Sequence, residues 1–224
     1  AAQLTKFPLV STADHHGPIT HPFFLNSNII TAIPFIESAD PALKYLISFS
    51  FASISVNNSS YPRGIVFHGG DDGTKGFIKL PILPDRLKMS VVYGVPSYTN
   101  EDHEKAKHQL QKKQNSGEVT PERAAKIADA LTEHFGSKDI MSAANFAAQT
   151  TKMNFNLWPA IFSESKKKEH IPDLIYIEIE TIVRELLIKF HLNNPKSLLH
   201  RVLFDEKYQK LSLELFNNIP GGFS

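Results

Sequence analysis

The sequence of 224 residues contains no cysteine. This absence excludes disulfide bonds, thiolate nucleophiles, zinc fingers and cysteine-ligated iron–sulfur clusters. A metal ion bound to this chain would therefore have to be held by nitrogen and oxygen ligands.

The chain also lacks an excess of charge of either sign, because 24 lysine and arginine residues balance 23 aspartate and glutamate residues. Binding to nucleic-acid backbones leaves a strongly basic surface, so no general nucleic-acid binding is expected. No apolar run reaches the roughly 18 residues that a membrane-spanning helix needs, and the amino terminus has no signal-peptide pattern. We therefore expect a cytoplasmic protein without a membrane partner.

Several catalytic signatures are missing as well. The sequence has no nucleophile elbow, no dinucleotide-binding fingerprint and no kinase motif. No glutamate is followed three positions later by histidine, which excludes the ligand pairs of a diiron helix bundle.

Hydrophobic residues make up 42% of the chain and charged residues 21%, which is enough apolar material for a folded core. In residues 1–97, β-branched and aromatic residues lie between clusters of Gly, Pro, Asn and Asp, a pattern typical of strands and turns. Neighbouring strands joined by such turns are expected to be antiparallel. The pattern predicts strands at residues 7–12, 28–35, 45–56, 64–68, 77–83 and 88–93.

A helical period of 3.6 residues replaces this pattern after residue 97. Thr99, Thr120 and Ser137 are predicted to cap three helices, because their hydroxyl groups can accept hydrogen bonds from the first free backbone N–H groups. The third of these helices is predicted to run to about residue 152. Shorter helices are predicted at residues 195–203 and 206–217.

The segment at residues 173–192 allows two interpretations. Its apolar residues fall on one helical face, which predicts a long amphipathic helix. Ile175, Ile177 and Ile179 also alternate with polar residues, as in a strand at residues 174–179. The length of the pattern favours the helix.

These patterns predict an α+β fold, in which an N-terminal antiparallel or mixed β-sheet packs against a C-terminal set of helices. The β-rich half is predicted to comprise residues 1–97 and the helical half residues 98–224. The two halves are expected to share one core.

The densest cluster of polar side chains follows the first predicted strand. Three histidines and one aspartate fall within residues 14–21. Imidazole nitrogens and carboxylate oxygens suit divalent transition metals, and a Gly-Pro turn within the segment could fold the last imidazole back toward the earlier ones. Because adjacent residues of an extended segment point to opposite sides, Asp14, His16 and His21 are the predicted ligands. The same residues also allow acid–base catalysis or an anion or sugar site, and the competing interpretation is that all of them are ordinary turn residues.

The Asp14-His15-His16 triplet resembles the motif after which the Asp-His-His phosphoesterases are named, where it sits at a strand end and helps to hold manganese ions. The resemblance covers three residues. The upstream histidine and aspartates of that family have no counterpart in residues 1–13. Its Gly-rich C-terminal motif differs in order from residues 64–73. We therefore assign the chain to no family from its sequence.

A second polar cluster follows the strand predicted at residues 64–68. His68 ends that strand, and Asp71 and Asp72 lie in the Gly-rich segment before the next one. A hairpin would place His68 at its mouth, from where it could reach the first cluster as a fourth ligand. Asp71 or Asp72 would then orient the substrate or accept a proton. The competing interpretation is a plain hairpin loop.

The leading hypothesis is a metal-dependent hydrolase in which Zn²⁺ or Mn²⁺ activates water against a small-molecule substrate. The alternative is a non-catalytic interaction module, or a fragment of a larger assembly, that binds a partner chain or the remainder of the same protein. Sixteen phenylalanines, a first residue that is not methionine and the lack of a complete catalytic signature favour this alternative.

Overall fold

The structure is a computed structural model. It describes residues 2–13, 17–18, 21–38, 40–57, 61, 63–68, 77–165 and 170–220. The chain forms two compact units, Ala1–Glu178 and Ile179–Ser224. Helices account for 58% and strands for 13% of the residues that the structure describes, which confirms the predicted α+β class.

The first unit mixes short strands with helices. A π-helical turn occurs at Leu131–Phe135, and 3₁₀ turns occur at Asp85–Leu87 and Val92–Gly94. In chain order its elements are α1 (Ala2–Lys6), β1 (Ser11–Ala13), α2 (Pro22–Ser38), β2 (Tyr45–Ser50), β3 (Gly64–His68), β4 (Phe77–Pro81), α3 (Asn100–Asn115), α4 (Pro121–Ala130), α5 (Lys138–Met141), α6 (Phe146–Ile161) and β5 (Asp173–Glu178).

The second unit is helical wherever the structure assigns it regular secondary structure. It begins with α7 (Ile179–Leu187), which continues into a π-helical turn at Ile188–Leu192. Two further helices follow, α8 (Leu198–Phe204) and α9 (Glu206–Asn217).

Two sheets form within the described part of the first unit. Strands β1, β2 and β5 form a parallel sheet in the order β1-β2-β5, whereas β3 and β4 form a separate antiparallel pair. The antiparallel pairing expected for neighbouring strands is therefore right for β3 and β4 and wrong for β1 and β2. The physical reason is α2, because parallel neighbours need a crossover connection, usually a helix.

The strand predicted at residues 28–35 is wrong, since these residues belong to α2. Phe24, Asn28, Ala32 and Phe35 are buried and recur with helical spacing. The β-branched residues between them favoured a strand, but such propensity is a weak preference that packing of one apolar face overrides. The strand predicted at residues 88–93 is also wrong, because that segment holds turns and a single bridge at Val91.

The long helix predicted at residues 173–192 is wrong in its first third. Residues Asp173–Glu178 form β5, where Leu174 and Tyr176 are buried and the strand pairs with β2 along its whole length. The competing strand interpretation was therefore the better one for this segment, and the helix begins only at Ile179. The pairing of these residues with β2 and the burial of Leu174 and Tyr176 determine the strand, although the length of the apolar pattern favoured a helix.

Two of the predicted caps are confirmed. The side chain of Thr99 accepts a hydrogen bond from the backbone N–H of Asp102, and that of Thr120 accepts one from Arg123. The helix predicted to open at Ser137 is instead two helices, α5 and α6, and Asn145 caps the second. Helix α9 has the predicted bounds.

The core of the first unit contains residues from both predicted halves. Leu46, Ile65 and Leu80 from the strands are fully buried together with Phe146 and Trp158 of α6. A domain boundary at residue 97 stays a prediction. Within the described residues, no helix is both long and apolar enough to cross a membrane.

Gly64 at the start of β3 generates a prediction about stability. A Cβ atom at this position would lie 2.2 Å from the carbonyl oxygen of Leu80 and 2.8 Å from the Cα of Pro81 on the paired strand. We expect Gly64→Ala to lower the free energy of unfolding by about 1–3 kcal/mol, because two backbones would have to move apart. Urea unfolding monitored by circular dichroism measures this change in the free energy of unfolding.

The matched control is Gly94→Ala, because a Cβ atom there would meet no atom within 4 Å. This change should leave the free energy of unfolding within about 1 kcal/mol of the wild-type value. Equal losses in the two variants would contradict the tight approach of β3 and β4 at Gly64.

Candidate functional site

The parallel sheet gathers three strand ends at one edge. Ala13 at the end of β1 is in register with Ser50 of β2, which is in register with Glu178 of β5. In open sheets with parallel strands, ligands bind at the carboxyl ends of the strands. Asp14, the first of the predicted ligands, follows Ala13 directly in the sequence.

Most of the predicted site residues lie outside the described part of the chain. This applies to Asp14, His16, Asp71 and Asp72. The backbone of His68 pairs with that of Phe77 at the end of the β3–β4 ladder where the connecting segment begins, as the hairpin prediction required, but its side chain is not described. The convergence of these residues on one metal ion stays a prediction. Among the side chains that are described, no group of three or more His, Asp or Glu could hold a metal ion.

His21 is the predicted ligand that the structure does describe. It immediately precedes Pro22, the first residue of α2, and its carbonyl oxygen accepts hydrogen bonds from the N–H groups of Phe24 and Leu25 at 3.1 and 3.2 Å. Its ring lies 5.5 Å from that of Phe24, which is buried. Proline suits the first helical position because it has no N–H group to satisfy there. The imidazole of His21 is thus attached to the fixed amino end of a helix.

The amino-terminal half of α2 lies against β1. The hydroxyl group of Ser27 donates a hydrogen bond to the carbonyl of Thr12 at 3.3 Å, and the hydroxyl oxygens of Ser27 and Ser11 are 3.2 Å apart. The start of α2, and His21 with it, therefore belongs to the end of the sheet where β1 finishes. This arrangement is that of a strand–helix–strand unit, whose first loop lies at the ligand-binding edge.

A row of buried polar side chains lies between the sheet and α2. Ser11, Ser48 and Tyr176 occupy one register position on the three strands and so share a face. The side-chain amide of Asn28 on α2 donates hydrogen bonds of 3.1 Å to the hydroxyl oxygen of Tyr176 and to the carbonyl of Phe24. Burial raises the pKa of Tyr176 above its usual value, and the bond from Asn28 opposes this only in part. The phenol is therefore neutral at physiological pH.

Two atoms of this buried row have no hydrogen-bond partner among the described residues. They are the amide oxygen of Asn28 and the hydroxyl oxygen of Ser48. Both residues are fully buried. A buried polar atom without a partner costs about 1–3 kcal/mol, so the polar character of this layer is unfavourable for stability alone.

The segment that carries the predicted ligands is tied to the rest of the unit at Gly17. The side-chain amide of Asn154, at the centre of α6, donates a hydrogen bond of 3.0 Å to the carbonyl oxygen of Gly17. Asn154, Gly17 and Pro18 are all buried. Gly17, one of the two described residues between β1 and His21, is thus attached to the centre of α6.

Sequence reasoning missed Glu178 and Asn154. Glu178 lies at the same sheet edge as Ala13 and is in register with Ser50, which adds an acidic residue to that edge. The alternation of Ile175 and Ile177 was the signal that could have found it, since a strand ending at residue 178 would have placed an acidic side chain at a strand end. No sequence signal links Asn154 to a loop 137 residues away.

Comparison of the chain with protein-family models, with curated proteins and with solved structures found no match. Functional assignment therefore depends on the geometry of this edge and on the chemistry of the residues that follow β1.

The hydrogen bond between Asn154 and Gly17 generates the next prediction. Asn154→Ala removes the donor and leaves the buried carbonyl of Gly17 without that partner, so the free energy of unfolding should fall by about 1–3 kcal/mol. Urea unfolding of the full chain measures this change. Asn156→Ala is the matched control on the same helix, because Asn156 is only half-buried. A loss for Asn156→Ala as large as that for Asn154→Ala would contradict the anchoring role of Asn154.

Proposed function

We propose that the chain is a metal-dependent hydrolase whose Zn²⁺ or Mn²⁺ ion is held by Asp14, His16 and His21, with His68 as a fourth ligand. The observation that supports this proposal most strongly is the position of β1. Its last residue lies at the shared carboxyl edge of a parallel sheet, and the Asp-His-His triplet is the next stretch of sequence.

The chemistry of the surrounding residues agrees with a cation at this edge. Imidazole and carboxylate are the ligand types that Zn²⁺ and Mn²⁺ accept in the absence of cysteine. Glu178 adds a carboxylate at the same edge, either to complete the ligand set or to accept a hydrogen bond from a ligating imidazole. The anchored carbonyl of Gly17 restricts the backbone between His16 and His21. Such restriction lowers the entropy that is lost when a metal gathers its ligands.

The bound ion would supply one part of the chemistry, a water molecule whose pKa is lowered toward neutrality. The chain's own residues would do the rest. A carboxylate of Asp71 or Asp72, from the segment between β3 and β4, would accept the proton of that water or orient the substrate. The neutral Tyr176 and Asn28 would hold the strands and α2 in fixed positions behind the site.

A metal-binding measurement tests this proposal. The purified chain is dialysed against Zn²⁺ or Mn²⁺ and its metal content is measured by elemental analysis. We expect stoichiometric metal in the wild type. The triple variant Asp14→Ala, His16→Ala, His21→Ala should lose it, because three ligands are removed.

The matched control removes one aspartate and two histidines elsewhere, by the changes Asp129→Ala, His108→Ala and His134→Ala, which lie on or just after helices α3 and α4. This variant should keep its metal. Wild-type protein that stays free of metal in excess Zn²⁺ and Mn²⁺ would refute the proposal.

A second measurement separates metal binding from catalysis. Asp71→Asn and Asp72→Asn, made singly, should leave the metal content unchanged. One of them should lower kcat on a model ester such as 4-nitrophenyl acetate or 4-nitrophenyl phosphate about 100-fold, because the proton acceptor is lost. Asp129→Asn, an exposed position on α4, serves as the control. If both variants keep full activity, neither aspartate has the proposed role.

A specific observation favours the second candidate function, a non-catalytic interaction module. The helices of the second unit expose large apolar side chains, which is unusual for a surface without a binding role. Stoichiometric metal without hydrolysis of any substrate, or no metal at all, would favour this function over the hydrolase.

A further inference from the structure

The buried polar layer between the sheet and α2 contains one unused hydrogen-bond donor and one unused acceptor. Within the described part of the chain, neither the hydroxyl group of Ser48 nor the amide oxygen of Asn28 has a hydrogen-bond partner. Both residues are 0% exposed, so bulk solvent does not reach them. Buried polar atoms are nearly always satisfied, either by the protein or by an enclosed water molecule. These two atoms therefore indicate a bound molecule in the layer.

The hydrogen bonds of Asn28 determine which of its amide atoms is unused. One amide atom lies 3.1 Å from the carbonyl oxygen of Phe24, which can only accept, so this atom is the nitrogen. The same nitrogen donates to the hydroxyl oxygen of Tyr176 at 3.1 Å. The oxygen Oδ1 therefore needs a donor from elsewhere. The hydroxyl group of Ser48 does not supply it directly, because no hydrogen bond joins these two described side chains.

Ser11 supplies a further acceptor in the same layer. The hydroxyl group of Ser27 donates to the carbonyl of Thr12, so its proton is already used. In the 3.2 Å contact between the hydroxyl oxygens of Ser11 and Ser27, Ser11 is therefore the donor. The oxygen of Ser11 can still accept a hydrogen bond. Ser11 is the register partner of Ser48 on the neighbouring strand, which places this acceptor beside the unused hydroxyl group.

The spacing of the strands limits the size of the bound molecule. Neighbouring strands lie about 4.8 Å apart, and two successive hydrogen bonds of about 2.8 Å span roughly 5 Å. A molecule with a single heavy atom therefore bridges hydroxyl groups on neighbouring strands. Ser11 and Ser48 are at most 2% exposed, which excludes a larger ligand that extends into the layer from solvent.

The hydrogen-bonding groups around this position select the chemical class of the molecule. It has to accept a bond from Ser48 and donate bonds to Asn28 and Ser11. A metal ion has no proton to donate and an ammonium ion has no acceptor. Either ion would also bury a charge among neutral side chains, at a much higher cost than a neutral molecule. Water meets all of these requirements, and buried water molecules typically make about three hydrogen bonds.

We propose that a single buried water molecule binds in this layer, where it accepts a hydrogen bond from Ser48 and donates one each to Asn28 and Ser11. Through these bonds the water connects β1, β2 and α2 two residues behind the sheet edge that carries the candidate site. The proposal is independent of the hydrolase proposal, because it uses none of the predicted metal ligands or catalytic aspartates.

A high-resolution crystal structure of the chain tests this proposal directly. We expect an isolated peak of electron density at about 2.5–3.0 Å from the Oγ atoms of Ser48 and Ser11 and from Oδ1 of Asn28. Several contacts shorter than about 2.4 Å would instead identify a metal ion and overturn the proposal. Density that shows no bound molecule between these three atoms would overturn it as well.

The variant Ser48→Ala provides a second test in solution, because the sign of its effect depends on the water. If the water accepts a hydrogen bond from Ser48, loss of that bond should raise the equilibrium constant of unfolding about 5-fold or more. If the hydroxyl group has no partner at all, its removal should leave this constant unchanged or lower it. Urea unfolding of the variant and the wild type distinguishes the two results, and the second would overturn the proposal.

The matched control is Ser137→Ala. The Oγ atom of Ser137 is also buried without a partner among the described residues, but it precedes α5 and makes no side-chain cap hydrogen bond there. This change should leave the equilibrium constant of unfolding within about 2-fold of the wild-type value. An equal rise in both variants would assign the effect of Ser48→Ala to serine replacement in general and overturn its assignment to the water. The crystal structure of the wild type decides the matter if Ser48→Ala does not fold.

Discussion

The parallel pairing of β1, β2 and β5 is the constraint on which the candidate site depends. Two neighbouring parallel strands cannot be joined by a tight turn, so the chain must cross over between β1 and β2, and α2 makes that crossover. The crossover brings the start of α2 to the edge where β1 ends. The parallel pairing of the three strands also aligns Ala13, Ser50 and Glu178 along that edge. Residues that are far apart in sequence thus become neighbours because of strand direction alone.

The layer between the sheet and α2 is more polar than stability requires. Ser11, Asn28, Ser48 and Tyr176 are buried where apolar side chains of similar size would pack without unpaired atoms. Polar groups retained at such a cost are common near functional sites, where they fix the orientation of neighbouring groups. The bond from Asn154 to Gly17 acts in the same way on the loop after β1. These contacts fix the positions of α2, Tyr176 and Gly17 relative to the sheet edge where β1 ends.

Local signals predicted local structure well. The hydroxyl caps at Thr99 and Thr120 are short-range hydrogen bonds, so the sequence alone located the helices that they begin. The predictions failed where a tertiary contact decided the outcome. Residues 28–35 are rich in β-branched residues, yet they form part of α2 and bury one face of that helix. Residues 173–178 continue the helical spacing of the apolar residues that follow them, yet they form a strand that pairs with β2. The histidine cluster could be identified from sequence, and the alternation of Ile175 and Ile177 was a signal for Glu178 at a strand end. Asn154 could not be identified, since only the fold places it beside Gly17.

The two hypotheses that the sequence presented as alternatives concern different parts of the chain. The polar edge, the anchored loop and the buried amides all belong to the first unit, which has its own core. The exposed apolar helices belong to the second unit, which buries no side chain among residues 179–220. So short a helical segment cannot cover its apolar faces by itself. The hydrolase hypothesis and the interaction-module hypothesis therefore do not depend on the same residues, and evidence for one leaves the other open to its own experiment.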